Sequence, residues 1–532
     1  MYRCPNCSAG MRYDIKSQKM LCDYCGYSCA ISEHPKQQED AKKEEYEVTV
    51  FTCPQCGGEI RSTDNAAAEF CSYCGASVML EGRLMNEKKP ALIVPFSRTK
   101  DDCKDSYKKR ANRAWCLPRE YKDPDKLEKF TGIYMPYWIY EVNQDASPRL
   151  EATRSSGNYT EYMNLDLSVQ HTYDWITFDA ASDFDDDLSN VINNFEANDS
   201  TAFSTAYLSG FYADSPDVDE ETYMSDAAQE SCEMTMKGIQ NKYKDMSIDR
   251  PDDLVETFHA RVTGSKAALF PVWFLTWRNK DRVSYAVVNG CTGETAADLP
   301  VSIPKFIIYS LVMAVPLAIL INFLPSIAPY ATLGFFTAAG IWSMAQNYMI
   351  TRSFINREDH ITDKGYIAAR RRREREAGIM SPDPEEAPKG GFVQTLKEYR
   401  SFITLILLVI GYFMLDYIFD EAFMEVLFGF VLSYLIPIAA VVMAVATMAM
   451  TITSAGKNKK FGRILADTLI LSAASVAAAA VMFLRPPQDI FYYAAAILIF
   501  AGIIYGYLGI IHRYNLSCTR PIPEYHERGK RS

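Results

Sequence analysis

The sequence predicts a multidomain chain: two small β-rich cysteine modules, then an α+β domain in which strands dominate, then an all-α bundle of six transmembrane helices. Three observations predict it. A C-x2-C-x14-C-x2-C pattern occurs twice near the start, aromatic and β-branched runs recur between residues 90 and 303, and six apolar stretches follow Pro304. Whole-chain averages hide this division. The 532 residues, 48% hydrophobic and 23% charged, would by themselves describe an ordinary soluble protein of two or more domains.

The first module is expected over residues 1–30 and the second over 51–80. Aligning the chain with itself at an offset of 49 pairs Cys4, Cys7, Cys22 and Cys25 with Cys53, Cys56, Cys71 and Cys74, and also Pro5 with Pro54, Tyr24 with Tyr73 and Gly26 with Gly75. Each CxxC makes a tight knuckle whose two thiolates face one ion, and two knuckles complete a tetrahedron. Zn(II) suits four thiolates without redox change, and a closed four-ligand site has no open position for water, so two structural zinc ions are expected. Gly26, Gly57 and Gly75, each following a knuckle, suit the sharp turn there. Cys29 is read as a spare. The segment 31–50, with its charged text Glu33–Glu47, reads as a solvated linker. The start, MYRCPNC, lacks a basic region and an apolar core of secretory type, so the head is expected in the cytosol.

Residues 90–303 read as the α+β domain. An apolar run at 91–96 precedes a helix at Lys100–Arg113, and a second helix is expected at Asp226–Tyr243. Gly132–Glu141 and Leu269–Arg278 share a Pro-x-Trp core at Pro136/Trp138 and Pro271/Trp273, which hints at a duplicated half. Trp277–Val288 reads as a hairpin around Asn279–Asp281. The aromatics Tyr134, Tyr137, Trp138, Trp273, Phe274 and Trp277 are expected in the core, with both prolines at an edge or bulge.

Beyond Pro304 the apolar stretches lie at 305–324, 329–350, 401–420, 429–452, 464–484 and 490–511, each near the ~20 residues of a helical span. Two helices occupy 304–350, a basic cytosolic loop 351–400, four helices 401–512 and a cytosolic tail 513–532. Lys and Arg number 11 in 351–400, four in 454–463 and five in 512–532, whereas the opposing loops hold Arg485 alone. The positive-inside rule therefore puts the head and both termini in the cytosol, with the protein multi-pass in a bacterial inner membrane. Asp416 and Asp467 fall near span ends, which leaves no evident polar path.

The cysteine text resembles the zinc ribbons of transcription factor IIB-type proteins and of rubredoxin-like modules such as those in the primosomal helicase. Together with GIYMPYW at 132–138, YLSGFYA at 207–213 and the segment 271–302, the head resembles a family of bacterial membrane proteins described as zinc-ribbon-containing. The resemblance implies that Cys4, Cys7, Cys22, Cys25, Cys53, Cys56, Cys71 and Cys74 are zinc ligands, and it implies no activity.

Ribbons bind nucleic acid, dock proteins or serve as structural caps. Charge disfavours the first: residues 1–80 hold 8 Lys+Arg against 11 Asp+Glu, and residues 141–256 hold 6 against 26, where phosphate binding needs a cationic stripe. Docking of one or more protein partners beside the lipid bilayer is the reading preferred, with nucleic-acid tethering and a transporter or channel carrying a regulatory head as rivals. No P-loop, GxGxxG, GxSxG or HExxH pattern occurs, and no enzyme is expected. The acidic residues 183–187 with Asp214, Asp217, Asp219, Glu220 and Glu221 read as a solvated face, and Arg370–Arg373 as a lipid contact or a topology signal.

Overall fold

The first cysteine module is a three-stranded antiparallel sheet of β1 (Arg12–Asp14), β2 (Lys19–Leu21) and β3 (Ser28–Cys29). In the second, β4 (Glu45–Thr52) lies between β5 (Glu59–Ser62) and β6 (Glu81–Lys88). The computed structural model describes residues 2–34, 44–63, 71–76, 81–156, 159–321, 328–358, 360, 363–376, 431–455 and 462–522. The expected span at 401–420, residues 35–43 of the linker, residues 377–400 of the basic loop and the tail after 522 lie outside the described residues, and the linker's last residues, from Glu45, are already in β4.

The elements that follow in the head are β7 (Leu92–Ile93), α1 (Lys100–Arg113), β8 (Thr131–Ala146), β9 (Arg149–Ser156), β10 (Tyr159–Asp166), β11 (Val169–Asp179) and α2 (Asp186–Ile192). Then come β12 (Thr201–Ala202), β13 (Tyr212–Ala213), α3 (Met224–Lys242), β14 (Ser247–Ile248), β15 (Arg261–Asn279), β16 (Arg282–Asn289) and β17 (Thr295–Ala297). The sequence sets α1 clearly. Thr99 and Asp102 form a reciprocal capping box, Arg110 and Arg113 favour the last turn, and Cys103, Tyr107 and Ala111 make one buried stripe.

Strands β8 and β15 pair antiparallel over most of their length and form the spine of a 12-stranded sheet. Each enters from a one-turn helix, Pro124–Leu127 or Leu254–Thr257, with an Asp cap, a buried Leu and then a buried Phe (Phe130, Phe258), so the likeness of the two segments extends beyond Pro-x-Trp. The prolines are not at an edge, as expected, but in these two central strands. The reason is a change of neighbour. Strand β8 pairs with β13 at Ile133 and Tyr134 and with β11 from Tyr137 onward; β15 pairs with β7 at Ala268 and Leu269 and with β16 from Val272 onward. Pro136 and Pro271 stand in the gaps, where a missing N–H interrupts no ladder.

Alternate residues of β15 face different cores. Leu269, Trp273, Leu275 and Trp277 pack on the side of α1 and the first ribbon, whereas Ala268, Phe270, Val272 and Phe274 pack with Leu188 and Ile192 of α2. Both faces are covered, which accounts for the unbroken apolar run in the sequence. The hairpin of β15 and β16 turns at Lys280 and Asp281, with Lys280 at φ 55°.

The C-terminal region is helical: α4 (Ile303–Ile321), α5 (Pro329–Glu358), α6 (Lys364–Glu376), α7 (Ile436–Ala455), α8 (Gly462–Leu484) and α9 (Asp489–Ser517), closing with β18 (Arg520–Pro521). Among the described residues, Ala466–Leu484 and Asp489–Ser517 are long and apolar enough to cross a membrane, and shorter apolar segments lie at Ile303–Pro316 and Ile436–Ala449. One turn of π-helix at Val431–Leu435 precedes α7 and its Pro437.

Candidate metal centres

All four CxxC pairs adopt one backbone turn. The first cysteine's N–H donates to a carbonyl five residues on, from Cys4 to Ala9, Cys22 to Tyr27, Cys53 to Gly58 and Cys71 to Ala76, at 2.7–2.9 Å. The N–H four residues on donates back, from Ser8, Gly26, Gly57 and Gly75, at 2.8–2.9 Å. That residue sits at φ 62°, 72°, 76° and 67° respectively. Glycine takes this conformation without strain, and Ser8 takes it at about 1–2 kcal/mol. Composition gave no cue to Ser8; only its place in the repeated turn identifies it.

The turns bring all eight expected cysteines into two groups, Cys4/Cys7/Cys22/Cys25 and Cys53/Cys56/Cys71/Cys74, with the Sγ atoms of each within 4.8 Å of one another. Across the first group Cys4–Cys25 and Cys7–Cys22 are each 3.5 Å apart, and across the second Cys53–Cys74 and Cys56–Cys71 are 3.8 and 3.7 Å. A tetrahedron with Zn–S bonds of about 2.3 Å has edges of about 3.8 Å, whereas a disulfide needs about 2.05 Å. Both groups can therefore hold a metal ion, and the donor set fits two structural zinc ions. Crowding divides the protons unevenly: the hydrogen bonds that favour one thiolate in each group raise Cys7, Cys56 and Cys71, whose protons a metal would displace. The backbone N–H of Tyr27, then the neighbouring thiols, bring Cys25 down to about 6. Hydrogen bonds from Cys56, Cys71 and Cys74 hold Cys53 well below the ordinary thiol range. Cys29 is buried in β3, outside the first group.

The two centres differ in their walls. All four thiols of the second are buried; Tyr73 beside it donates to Asp214 at 2.7 Å, Tyr285 donates to the Tyr73 carbonyl at 2.8 Å, and Thr276 reaches the Ser72 carbonyl. In the first, Cys7 is half-buried and Cys25 exposed. Its other side is seated on the head through Tyr2 with Thr205 at 2.8 Å, the Tyr13 N–H with the Ser209 carbonyl at 3.0 Å, and Tyr13 against the rings of Tyr207 and Phe211.

The chain is 30% identical over 309 residues to the uncharacterized protein YdjG of Bacillus subtilis (strain 168), across 57% of this chain and 90% of that relative. The chain belongs to the YdjG family. No protein-family profile matches it, and no solved structure does.

Beside the metal centres, this YdjG-family chain corrects two readings of charge. The acidic residues are only in part a solvated face: Asp187, Asp219 and Glu221 are exposed, whereas others are covered by basic side chains. Asp185 pairs with Arg520 at 2.9 Å and Arg357 at 3.5 Å, and although burial alone would raise it, Arg520 and Arg357 hold its carboxyl at about 2. Asp219 pairs with Arg372 at 2.9 Å, Asp226 with Lys364 at 2.5 Å, and Ser182 receives Arg373 at 3.2 Å. The basic helix α6 thus lies on the acidic face of its own head. Arg513 and Arg520 are not free charges of a solvated tail: Arg513 is fully buried, and the Arg520 side chain is 12% exposed. Arg513 is 3.5 Å from Asp467 and donates to Asn347 at 2.5 Å inside the bundle, so a polar layer exists where none was expected. Continuing the helical period of α9 past residue 511 would have placed Arg513 inside.

Proposed function

We propose that this is a membrane-anchored zinc protein whose cytosolic head of two ribbons, of transcription factor IIB type, docks protein partners at the bacterial inner membrane. The observation that carries the reading is the asymmetry of the ribbons. One is walled into the domain, whereas the other turns a knuckle outward, with Tyr24 85% exposed beside Cys25. Aromatic side chains of this kind anchor protein interfaces. The acidic face is matched by the chain's own α6, and the head's negative balance opposes phosphate binding.

The six-span reading with cytosolic termini is part of the same proposal. Arg282 pairs with Glu358 at the end of α5 at 2.9 Å, Asn515 at the end of α9 exchanges hydrogen bonds with Val301, and Lys305 at the start of α4 reaches the Leu117 carbonyl. These contacts put three helix ends on the head's side, as an out-and-back topology requires. A transport role for the bundle draws support from the Arg513–Asp467 pair, since ionisable groups within membranes mark pathways in many proteins.

The test is crosslinking in native membranes with the full chain and its Tyr24→Ala variant, with zinc content measured in both. Proteins recovered with the parent and lost with the variant, at equal zinc, are the expected result. Recovery of nucleic acid, or an identical protein set from both, overturns the docking proposal.

A further inference from the structure

We propose that the cluster Cys4/Cys7/Cys22/Cys25 is an exchangeable metal site, open to an outside thiol or chelator at Cys25, and that its occupancy latches the N-terminal ribbon onto the head. The inference rests on the reading that both clusters hold zinc, and it gives them different roles.

Access is the first argument. Exchange at a closed four-thiolate site needs an incoming donor to reach the metal beside a bound sulfur: one metal–donor bond forms, through a thiolate sulfur or a chelator's oxygen or nitrogen, as one metal–sulfur bond breaks and the freed thiolate takes up a proton, with no change of oxidation state. In the second cluster every thiol is buried, and a Cβ on Gly75 would stand 3.4 Å from Arg278 and Thr276. In the first, Cys25 is exposed, and a Cβ on Gly26, the equivalent position, would meet nothing within 4 Å. The same knuckle faces a wall in one copy and open solvent in the other. Tyr27, the residue after Gly26, is itself exposed.

Coupling is the second argument. The buried side of this ribbon supplies Tyr2, Met11, Tyr13 and Met20 to the core that holds Phe96, Tyr134, Phe211 and Trp273. A sheet of three strands, two or three residues each, cannot hold those side chains in place without its metal. Loss of the first ion should therefore loosen the seat at Thr205–Phe211, whereas the second cluster lies within a sheet joined to the domain through Ala213 and Arg61.

The experiment uses the full chain in detergent, purified with its zinc, and EDTA with a zinc-indicator dye. Two equivalents are expected, released in two phases, the faster by about tenfold or more because access sets the rate. Alkylation with N-ethylmaleimide at the end of the fast phase should modify peptides carrying Cys4, Cys7, Cys22 and Cys25 and spare Cys53 to Cys74. Hydrogen exchange at residues 203–213 should rise at that same point. A single phase for both equivalents, or a fast phase that maps to the second cluster, overturns the exchange proposal while leaving zinc binding intact. Fast release without added exchange at 203–213 removes the latch. A chain that carries no zinc removes this inference together with the reading beneath it.

Discussion

At the scale of single residues, the sharpest energetic statement concerns Arg513. It is fully buried, its only carboxylate partner among the described residues is Asp467, and its Nε has no hydrogen-bond partner. Removing one member of a buried pair leaves a charge uncompensated at about 3–5 kcal/mol, more than the pair contributes against an apolar replacement. Asp467→Asn should therefore lower the melting temperature of the detergent-solubilised chain markedly, and the double variant with Arg513→Met should regain much of the loss. Equal melting of Asp467→Asn and the parent would refute the pairing. A second prediction lies in the head. Burial first, then Asp363 and Asp179, push Asp186 up to about 10. A carboxyl raised above its unfolded value near 3.8 keeps its proton in the folded state, so its contribution is full below pH 4 and falls as pH rises towards 10. Asp179 and Asp363 beside it are raised as well, so the three shielded carboxyls share their protons, and between pH 5 and 8 stability should decline as pH rises. Asp186→Asn should flatten that slope in thermal melts across the range.

At the scale of elements, α6 carries the test. Its pairs, Lys364–Asp226 and Arg372–Asp219, are partly exposed, so each contributes no more than about 1 kcal/mol, and salt weakens them. Arg372→Asp should speed trypsin cleavage within α6 severalfold, and adding Asp219→Arg should restore protection; cleavage at the parental rate in the single variant would mean that the helix does not dock through this pair. The element scale is also where the sequence was most legible. The helix expected at Lys100–Arg113 is α1, whose cap and terminal charges account for its bounds, the offset of 49 found both cysteine modules, and the β15–β16 hairpin fell between the expected residues. Local signals reach that far because caps, knuckles and two-residue turns are satisfied within a few positions. The prolines were misplaced because their tolerance depends on which strand lies alongside, and neighbours such as β13 and β7 come from distant parts of the chain. The acidic and basic runs were each read as facing solvent or lipid for the same reason: nothing within either run encodes that the other will cover it.

At the scale of the whole molecule, the question is whether head and bundle behave as one cooperative unit. Arg282 sits where they meet. Its guanidinium pairs with Glu358 at 2.9 Å and also donates to the Leu516 and Thr519 carbonyls and to the Thr519 hydroxyl, binding the start of β16 to the ends of α5 and α9 at once. Nearby, Arg357 and Arg520 share Asp185 and Asp298, and β18 pairs with β16 at Val283 and Arg282. The side chains of this junction are mostly shielded, so its pairs should outweigh surface salt bridges. Arg282→Ala leaves Glu358 without its partner and frees three acceptors at once, with an expected cost of about 3 kcal/mol or more. Because the lost contacts join two bodies rather than hold either one together, the head's sheet and the helices should each survive. The full chain should then melt in two transitions where the parent melts in one, the earlier of them reporting on the head through its tryptophans. A single transition merely shifted downward would mean instead that apolar packing, and not this arginine, transmits cooperativity from the head to the bundle.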